Sequence, residues 1–386
     1  MANPLCDLCG CATVQPVVTI GSPRALRSDR VVLQGHLSKL GCVRCGLVRD
    51  ASDGLVVGPD QYRTDYDVSV ADHHFYTADG PRSRSALLAD WIHELVRRIG
   101  ASDRFASVLE VGAGAGFVLS ELGTRLPRLR RVGYELNAAA AAAAEARGVE
   151  MLHGSLDAVP DGAFDFVYAV AVLEHVPSPT EFLAGLRRVV RDDGWVVLIQ
   201  PTQDVESYDL FFVDHLHHFG TAHLAAYAEK CGFREHHQSV GYACMPNFSG
   251  HLWQAGVPRA DWAWSGPPAP LRCLAAADRL VGDFRRLDAE LGALAAAGRR
   301  CGVFGLHEVF ALTRAYTSIA SHRVVCGLDD DPGKAEYRQY PFPVDVPERA
   351  PAYGCERVLL TMNRMYYPLV TERIERLGMT AYPVLS

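Results

Sequence analysis

Four cysteines fall into two close pairs, Cys6-Asp-Leu-Cys9 and Cys42-Val-Arg-Cys45, each followed at once by a glycine and separated by 32 residues. A C-x2-C knuckle turns two thiolates to one side of the backbone, and two knuckles supply the four sulfurs of a tetrahedral zinc site. A closed shell of that kind leaves no position for substrate. The expected Zn2+ is therefore structural, and its binding supplies folding free energy to a segment with little apolar periodicity. Cys11 can replace Cys9 only by breaking the two-residue spacing, and the six later cysteines stand singly, as small buried hydrophobes do.

A second chemical feature is Val108-Leu-Glu110-Val-Gly112-Ala-Gly114-Ala-Gly116-Phe117, at the end of an apolar run and the start of a helical pattern. Glycines let a ligand approach the backbone, and a helix start offers unpaired N–H groups. A dinucleotide fingerprint requires glycine where Phe117 stands, and a P-loop requires Gly-Lys-Ser/Thr, so both phosphate readings weaken. Glu110 would repel a pyrophosphate but suits a cationic amino acid group. The next strand, Arg130 to Glu135, ends in a carboxylate placed to accept both hydroxyls of a ribose.

In this order the segments resemble the class I S-adenosylmethionine (SAM)-dependent methyltransferases, whose motif is E-x-G-x-G-x-G. The resemblance covers about residues 83–240 and extends to Gly154-Ser-Leu156, Phe164-Asp165-Phe-Val-Tyr, Leu173-Glu174-His175-Val and Asp193-Gly-Trp-Val-Val-Leu. It implies SAM as methyl donor and S-adenosylhomocysteine (SAH) as product. Glu110, Gly112, Gly114 and Gly116 would line the methionine side, Glu135 the ribose, and Ser155 and Leu156 the adenine, with Ala171 and Tyr66 also at the donor.

The whole chain resembles the zinc-containing, three-part C-methyltransferases of nucleotide-linked keto-deoxysugars in antibiotic biosynthesis. That implies a connector, bearing Tyr62 and Tyr66, that closes over the donor, and a carboxy-terminal unit that helps form the substrate cleft. His215 matches the family's histidine beside the reacting carbon, Asp214 replaces its glutamate, and Phe212 stands where the family has tyrosine. His215 is the expected base, oriented by Asp214 or by a neighbour in space, with His175 after the fourth strand as a further contact. Loss of the phenol at 212 keeps N- or O-methylation of another natural-product intermediate as the alternative. His217 and His218 are expected to pack. No carboxylate stands at facial-triad spacing to these histidines, which argues against a second metal. Asp329, Asp330 and Asp331 are expected in a solvated acidic loop, and Arg364 would suit a diphosphate.

The elements that must position these residues give an α/β fold class: a Rossmann-like class I methyltransferase core, an amino-terminal zinc-binding module and a second Rossmann-like α/β domain. The expected divisions are 1–57, zinc module; 58–82, connector or lid; 83–245, methyltransferase; and 246–386, substrate domain. Short apolar strands alternate with helices from Ser107, as in a parallel sheet. A stretch with Trp253, Trp262, Trp264 and Pro267-Pro268 reads as the junction, followed by a helix near 270–297 and a second α/β unit from Cys301. The 386 residues, 49% hydrophobic and 22% charged, exclude a disordered or coiled-coil protein. A net charge of −7 supplies no broad cationic surface, so the expected partner is a small molecule, with neither nucleic acid nor membrane. The start lacks the build of a signal peptide, giving a cytoplasmic expectation, as a monomer or homodimer.

Overall fold

In a computed structural model of the chain, the described residues are 5–52, 59–66, 72–77, 80–100, 105–259, 261–270, 272–330, 332–333 and 340–386. Asp331 and part of the connector lie outside them. The amino-terminal module forms strands β1 (Val14–Thr19), β2 (Arg24–Leu26), β3 (Val32–Gln34), β4 (Ser38–Cys42) and β5 (Val48–Asp50). The connector supplies helix α1 (Pro59–Thr64) and hairpin strands β6 (His74–Thr77) and β7 (Gly80–Ser83). Helix α2 (Arg84–Arg97) starts where the Ser83 side chain accepts the Ala86 N–H, and it buries Leu87, Leu88, Trp91, Ile92, Leu95 and Val96 on one face.

The next unit contains β8 (Ser107–Val111), α3 (Phe117–Arg125), β9 (Arg130–Tyr134), α4 (Ala138–Ala146), β10 (Glu150–Leu152), β11 (Phe164–Val170), α5 (Pro179–Val189) and β12 (Val190–Pro201). After it come β13 (His217–His218), α6 (Thr221–Cys231), β14 (Phe233–Tyr242) and β15 (Met245–Ala255). The sheet order is β10-β9-β8-β11-β12-β15-β14, with β15 antiparallel to both neighbours and the other pairs parallel. Strand β11 is almost wholly buried along its length, as a central parallel strand covered on both faces must be. The sheet therefore runs past residue 245. Trp253 is a fully buried residue of β15 and not part of a junction, because polar residues along β14 and β15 hide their pairing from a reading of apolar runs.

The last unit begins with α7 (Cys273–Ala296), then β16 (Cys301–Phe304), α8 (Glu308–Tyr316), β17 (Val324–Leu328), β18 (Val344–Asp345), β19 (Arg357–Leu360), α9 (Tyr367–Arg376) and β20 (Thr380–Pro383). Its five strands form a second, all-parallel sheet in the order β18-β17-β16-β19-β20. Among the described residues, no helix is long and apolar enough to cross a membrane.

The amino-terminal module has no core of its own. Leu8, Cys45 and Leu47 pack with Phe219, Leu224 and Tyr227 of the first large unit. Val18, Ala25, Leu26, Leu37 and Val48 pack into the core of the last unit instead. Strand β13 joins the module's sheet by pairing with β5, His217 opposite Arg49 and His218 opposite Val48. The module thus ties the two larger units to each other and to the segment just before α6.

Gly250 of β15 faces Trp91 so closely that a β-carbon there would lie 2.7 Å from the indole. Gly250→Ala is expected to lower stability by about 1–3 kcal/mol through overpacking, read as a fall in the urea midpoint. Gly282→Ala on α7, where nothing lies within 4 Å, is expected to hold or raise that midpoint.

Candidate active site

At the carboxyl end of β8 the chain turns through Gly112, Gly114 and Gly116, all at positive φ, into α3. A β-carbon on Gly112 would lie 2.4 Å from Val172, and one on Gly116 2.8 Å from Ala144, so both space and backbone conformation demand glycine. The turn sits where β8 adjoins β11 and the strand order reverses, the crevice at which doubly wound sheets bind ligands. Glu135, just beyond β9, accepts the Gly114 and Asn137 N–H groups at 2.8 Å each, fastening the turn to the start of α4. Ser155 caps a short turn after β10 by accepting the Asp157 N–H, and Leu156 is half-buried beside it. Ala171 follows β11 at φ 53°, a left-handed strain of about 1–3 kcal/mol that redirects the chain toward Glu174 and His175.

Glu110 departs from the expectation of a direct contact with a cationic ligand. It is 2% exposed beneath the glycine turn, accepts the Tyr168 hydroxyl at 2.9 Å, and burial pushes its carboxyl up to about 8. Its position on β8 turns it to the face shared with Tyr168 of the paired strand β11.

The described part of the connector packs on this region. The Tyr62 hydroxyl lies 2.8 Å from His175 Nδ1, and that of Tyr66 lies 2.9 Å from Ser28 Oγ. The Asn137 side-chain amide donates to the carbonyl of Tyr62 at 3.3 Å. Buried Arg27 pairs with Asp29 and with Asp65, holding the end of the connector to the zinc-binding module.

Residues 209–218 contain the densest charge cluster. Asp209 is 5% exposed, and its two oxygens are each taken by an imidazole: His215 Nδ1 at 2.5 Å and His218 Nδ1. Asp209, six residues upstream, therefore orients His215, and the adjacent Asp214 does not. Asp214 instead accepts the Ser28 N–H at 2.8 Å and the Ser28 hydroxyl at 2.6 Å, while His175 Nδ1 lies 2.9 Å from the Asp214 carbonyl. The Phe212 ring lies 5.1 Å from that of His215.

Burial alone would lower His215, yet the Asp209 carboxylate bonded to it, with Asp214 and Glu174 nearby, raises it to about 9. His218, buried and near the Lys39 ammonium, is held down to about 4 despite the same carboxylate. Asp209 is buried too, but the two imidazoles keep it well below the usual carboxylate range. His217 is buried, bonds the Val176 carbonyl at 3.2 Å and packs as expected. Glu174 is 2% exposed, and both its oxygens are buried without a hydrogen-bond partner. It lies with His175 and His215 in a group whose ligand-type atoms fall within 4.8 Å, so the spacing argument against a carboxylate beside these histidines does not hold.

Sequence reasoning missed Asp209, Ser28, Lys39 and the place of Glu174. The first three act across gaps of 6 to more than 170 residues, which no local period reveals. Arg364 donates to the Ser386 carbonyl at 2.9 Å.

Residues 82–238 match the model of a family described as a methyltransferase domain. The chain carries a class I SAM-dependent methyltransferase domain. Over 116 residues, 26% of this chain and 47% of the relative, it is 28% identical to the ubiquinone biosynthesis O-methyltransferase of Burkholderia thailandensis. It is also 28% identical over 133 residues to the demethylmenaquinone methyltransferase of Bacillus velezensis, covering 30% and 57% of the two chains. A solved SAM-dependent methyltransferase from Aquifex aeolicus is similar at a TM-score of 0.34 and 16% identity, over 44% of this chain and 98% of that one. The chain spans about half the length of the curated relatives it matches.

Outside the methyltransferase domain, the cysteine pairs form one cluster. Cys6 and Cys45 sulfurs are 3.6 Å apart, those of Cys9 and Cys42 3.5 Å, and all four lie within 4.8 Å of one another. Zn–S bonds of about 2.3 Å in a tetrahedron place sulfurs about 3.8 Å apart, so these residues fit the ion. The first knuckle is docked on the methyltransferase domain through Asp7, which accepts the Thr180 N–H at 3.0 Å and the Tyr227 hydroxyl at 2.9 Å.

Two outcomes follow from this geometry. Because His215 is raised above its ordinary value of about 6.5, its pair with Asp209 contributes stability fully below about pH 6.5 and loses it as pH rises through about 9. Urea unfolding across pH 6–9.5 should show that decline in the native chain and a flattened profile in Asp209→Asn. Cys42→Ser should lower zinc content measured by metal analysis and expose the module to proteolysis, since one of four ligands is lost.

Proposed function

We propose that the protein transfers a methyl group from SAM to the carbon beside a ketone on a nucleotide-linked keto-deoxysugar in antibiotic-type secondary metabolism. The observation that carries this reading is the Asp209–His215 pair, with His175 and Tyr62, gathered beside the end of β11 and the glycine turn. Asp209 occupies His215 Nδ1, which leaves Nε2 as the ring atom to take the α-proton from substrate. Bound SAM supplies an electrophilic methyl and departs as SAH. The glycine turn and Glu135 fit the donor, and the four cysteines fit a structural Zn2+. The crowd of carboxylates at Asp209, Asp214 and Glu174 suits a sulfonium and repels a phosphate, so the nucleotide would lie away from this cluster. The partner is a small molecule in this reading, in keeping with the net charge of −7.

O-methylation is the second reading, favoured by the relatives of ubiquinone biosynthesis and by Phe212 in place of a phenol. Incubating a panel of keto-deoxysugar nucleotides in deuterated water with SAH separates the two. Carbon methylation requires exchange of the α-protons, faster as pH rises toward about 9, and His215→Asn should slow it by about 10²–10⁴-fold. Methylation of a hydroxyl without any α-exchange would establish the oxygen reading.

A further inference from the structure

Lys39 of β4 is fully buried, and its ammonium donates to the carbonyls of Phe212 at 2.7 Å and His215 at 2.9 Å while pairing with Asp50 at 2.9 Å. A buried ammonium is costly unless every hydrogen finds an acceptor, a condition met here by three oxygens. What it does that an apolar side chain of equal length cannot is twofold. It gathers two carbonyls three residues apart at one point, which sets the turn that presents His215. It also places a positive charge beside His218.

That charge matters because Asp209 is a nearly symmetric acceptor, bonded through Nδ1 to both His215 and His218. His218 is 1% exposed and its Nε2 is buried without a partner, whereas His215 is 6% exposed. His215 is faced by Asp209 and His218 from its own segment, by Asp214, by Glu174 and His175 after β11, and by Glu308 of α8. His218 is faced by Asp209, Lys39, His215 and His217. We propose that Lys39 is a positioning residue that assigns the proton of the Asp209 pair to His215 and excludes it from His218. The use of that proton in catalysis rests on the function proposed above, but its assignment does not.

The test is a pH titration from 5 to 10 of the zinc-loaded full chain with SAH, carrying 13Cε1-labelled histidine, followed by NMR. Spectra of His215→Asn and His218→Asn assign the two resonances. In the native chain His215 should titrate near pH 9 and His218 should stay neutral to pH 5. Lys39→Met should bring the two inflections together, with His218 titrating inside the window, and Lys39→Arg should restore the native order. Where α-exchange occurs, Lys39→Met should lower its kcat by about tenfold or more at unchanged SAH affinity. Should Lys39→Met fail to fold because Asp50 loses its partner, the Lys39→Met/Asp50→Asn variant removes both charges and gives the same readout. Native inflections in whichever of these variants folds would overturn the proposal, since a purely structural lysine changes stability and not the order of titration. Absence of α-exchange in the native chain would sink the carbon reading alone.

Discussion

A carboxylate removed from water must be compensated, and the way Asp209 is compensated dictates the form of the site. Both its oxygens are taken by imidazoles at positions 215 and 218, so the chain between has to fold back on itself. That fold-back exposes carbonyls to a dry interior, where Lys39 collects two of them. It also brings His217 and His218 alongside β5 as a fourth strand of the amino-terminal sheet. Each step satisfies a polar group stranded by the one before. The outcome is a histidine presented by three units at once: the loop from the methyltransferase domain, the lysine from the zinc-binding module, and the Tyr316 hydroxyl of the last unit, which donates to the Phe211 carbonyl at 2.5 Å.

The amino-terminal module can take this part because it is too small to be independent. Its apolar residues are divided between two larger cores, so it cannot move without opening both. A four-thiolate metal cluster holds the two knuckles together, but the docking is polar: Asp7 on the start of α5, the Cys45 carbonyl on His223 at 3.0 Å, Ser28 on Asp214. A metal site far from the chemistry thereby acts on it through rigid contacts.

How much of this was legible depended on sequence distance. The glycine turn, the strands of the parallel sheet and α2 and α7 follow from apolar periodicity and from backbone positions that only glycine tolerates, all local properties. The paired cysteines were legible because two knuckles carry their own spacing. Strands β14 and β15 were not, since His236, His237, Gln238 and Ser239 carry the polar edge of a hairpin whose partner side is set by the sheet. Asp214 looked like the orienting acid because it adjoins His215, yet neighbouring side chains diverge, and a short helical turn at 209–211 brings a more distant carboxylate to the ring. Lys39, in the run Ser-Lys-Leu-Gly-Cys, has the look of a surface lysine until β13 closes over it.

In the proposed reaction the raised basicity of His215 gives little by itself. At pH 7.5 a group titrating near 9 is neutral about thirtyfold less often than one near 6.5. A stronger base does remove a proton faster, but with a Brønsted coefficient near 0.5 the gain over that range is about twentyfold. The two nearly cancel. What Asp209 and Lys39 contribute must then be geometric: a ring fixed at Nδ1, with Nε2 turned to substrate and no second imidazole competing for the proton. Orientation of this kind does not offset itself in that way, and it is worth more in a closed site, where a misplacement of about 1 Å can cost about 10²-fold in rate. The buried charges are best understood as the means of holding one nitrogen in place.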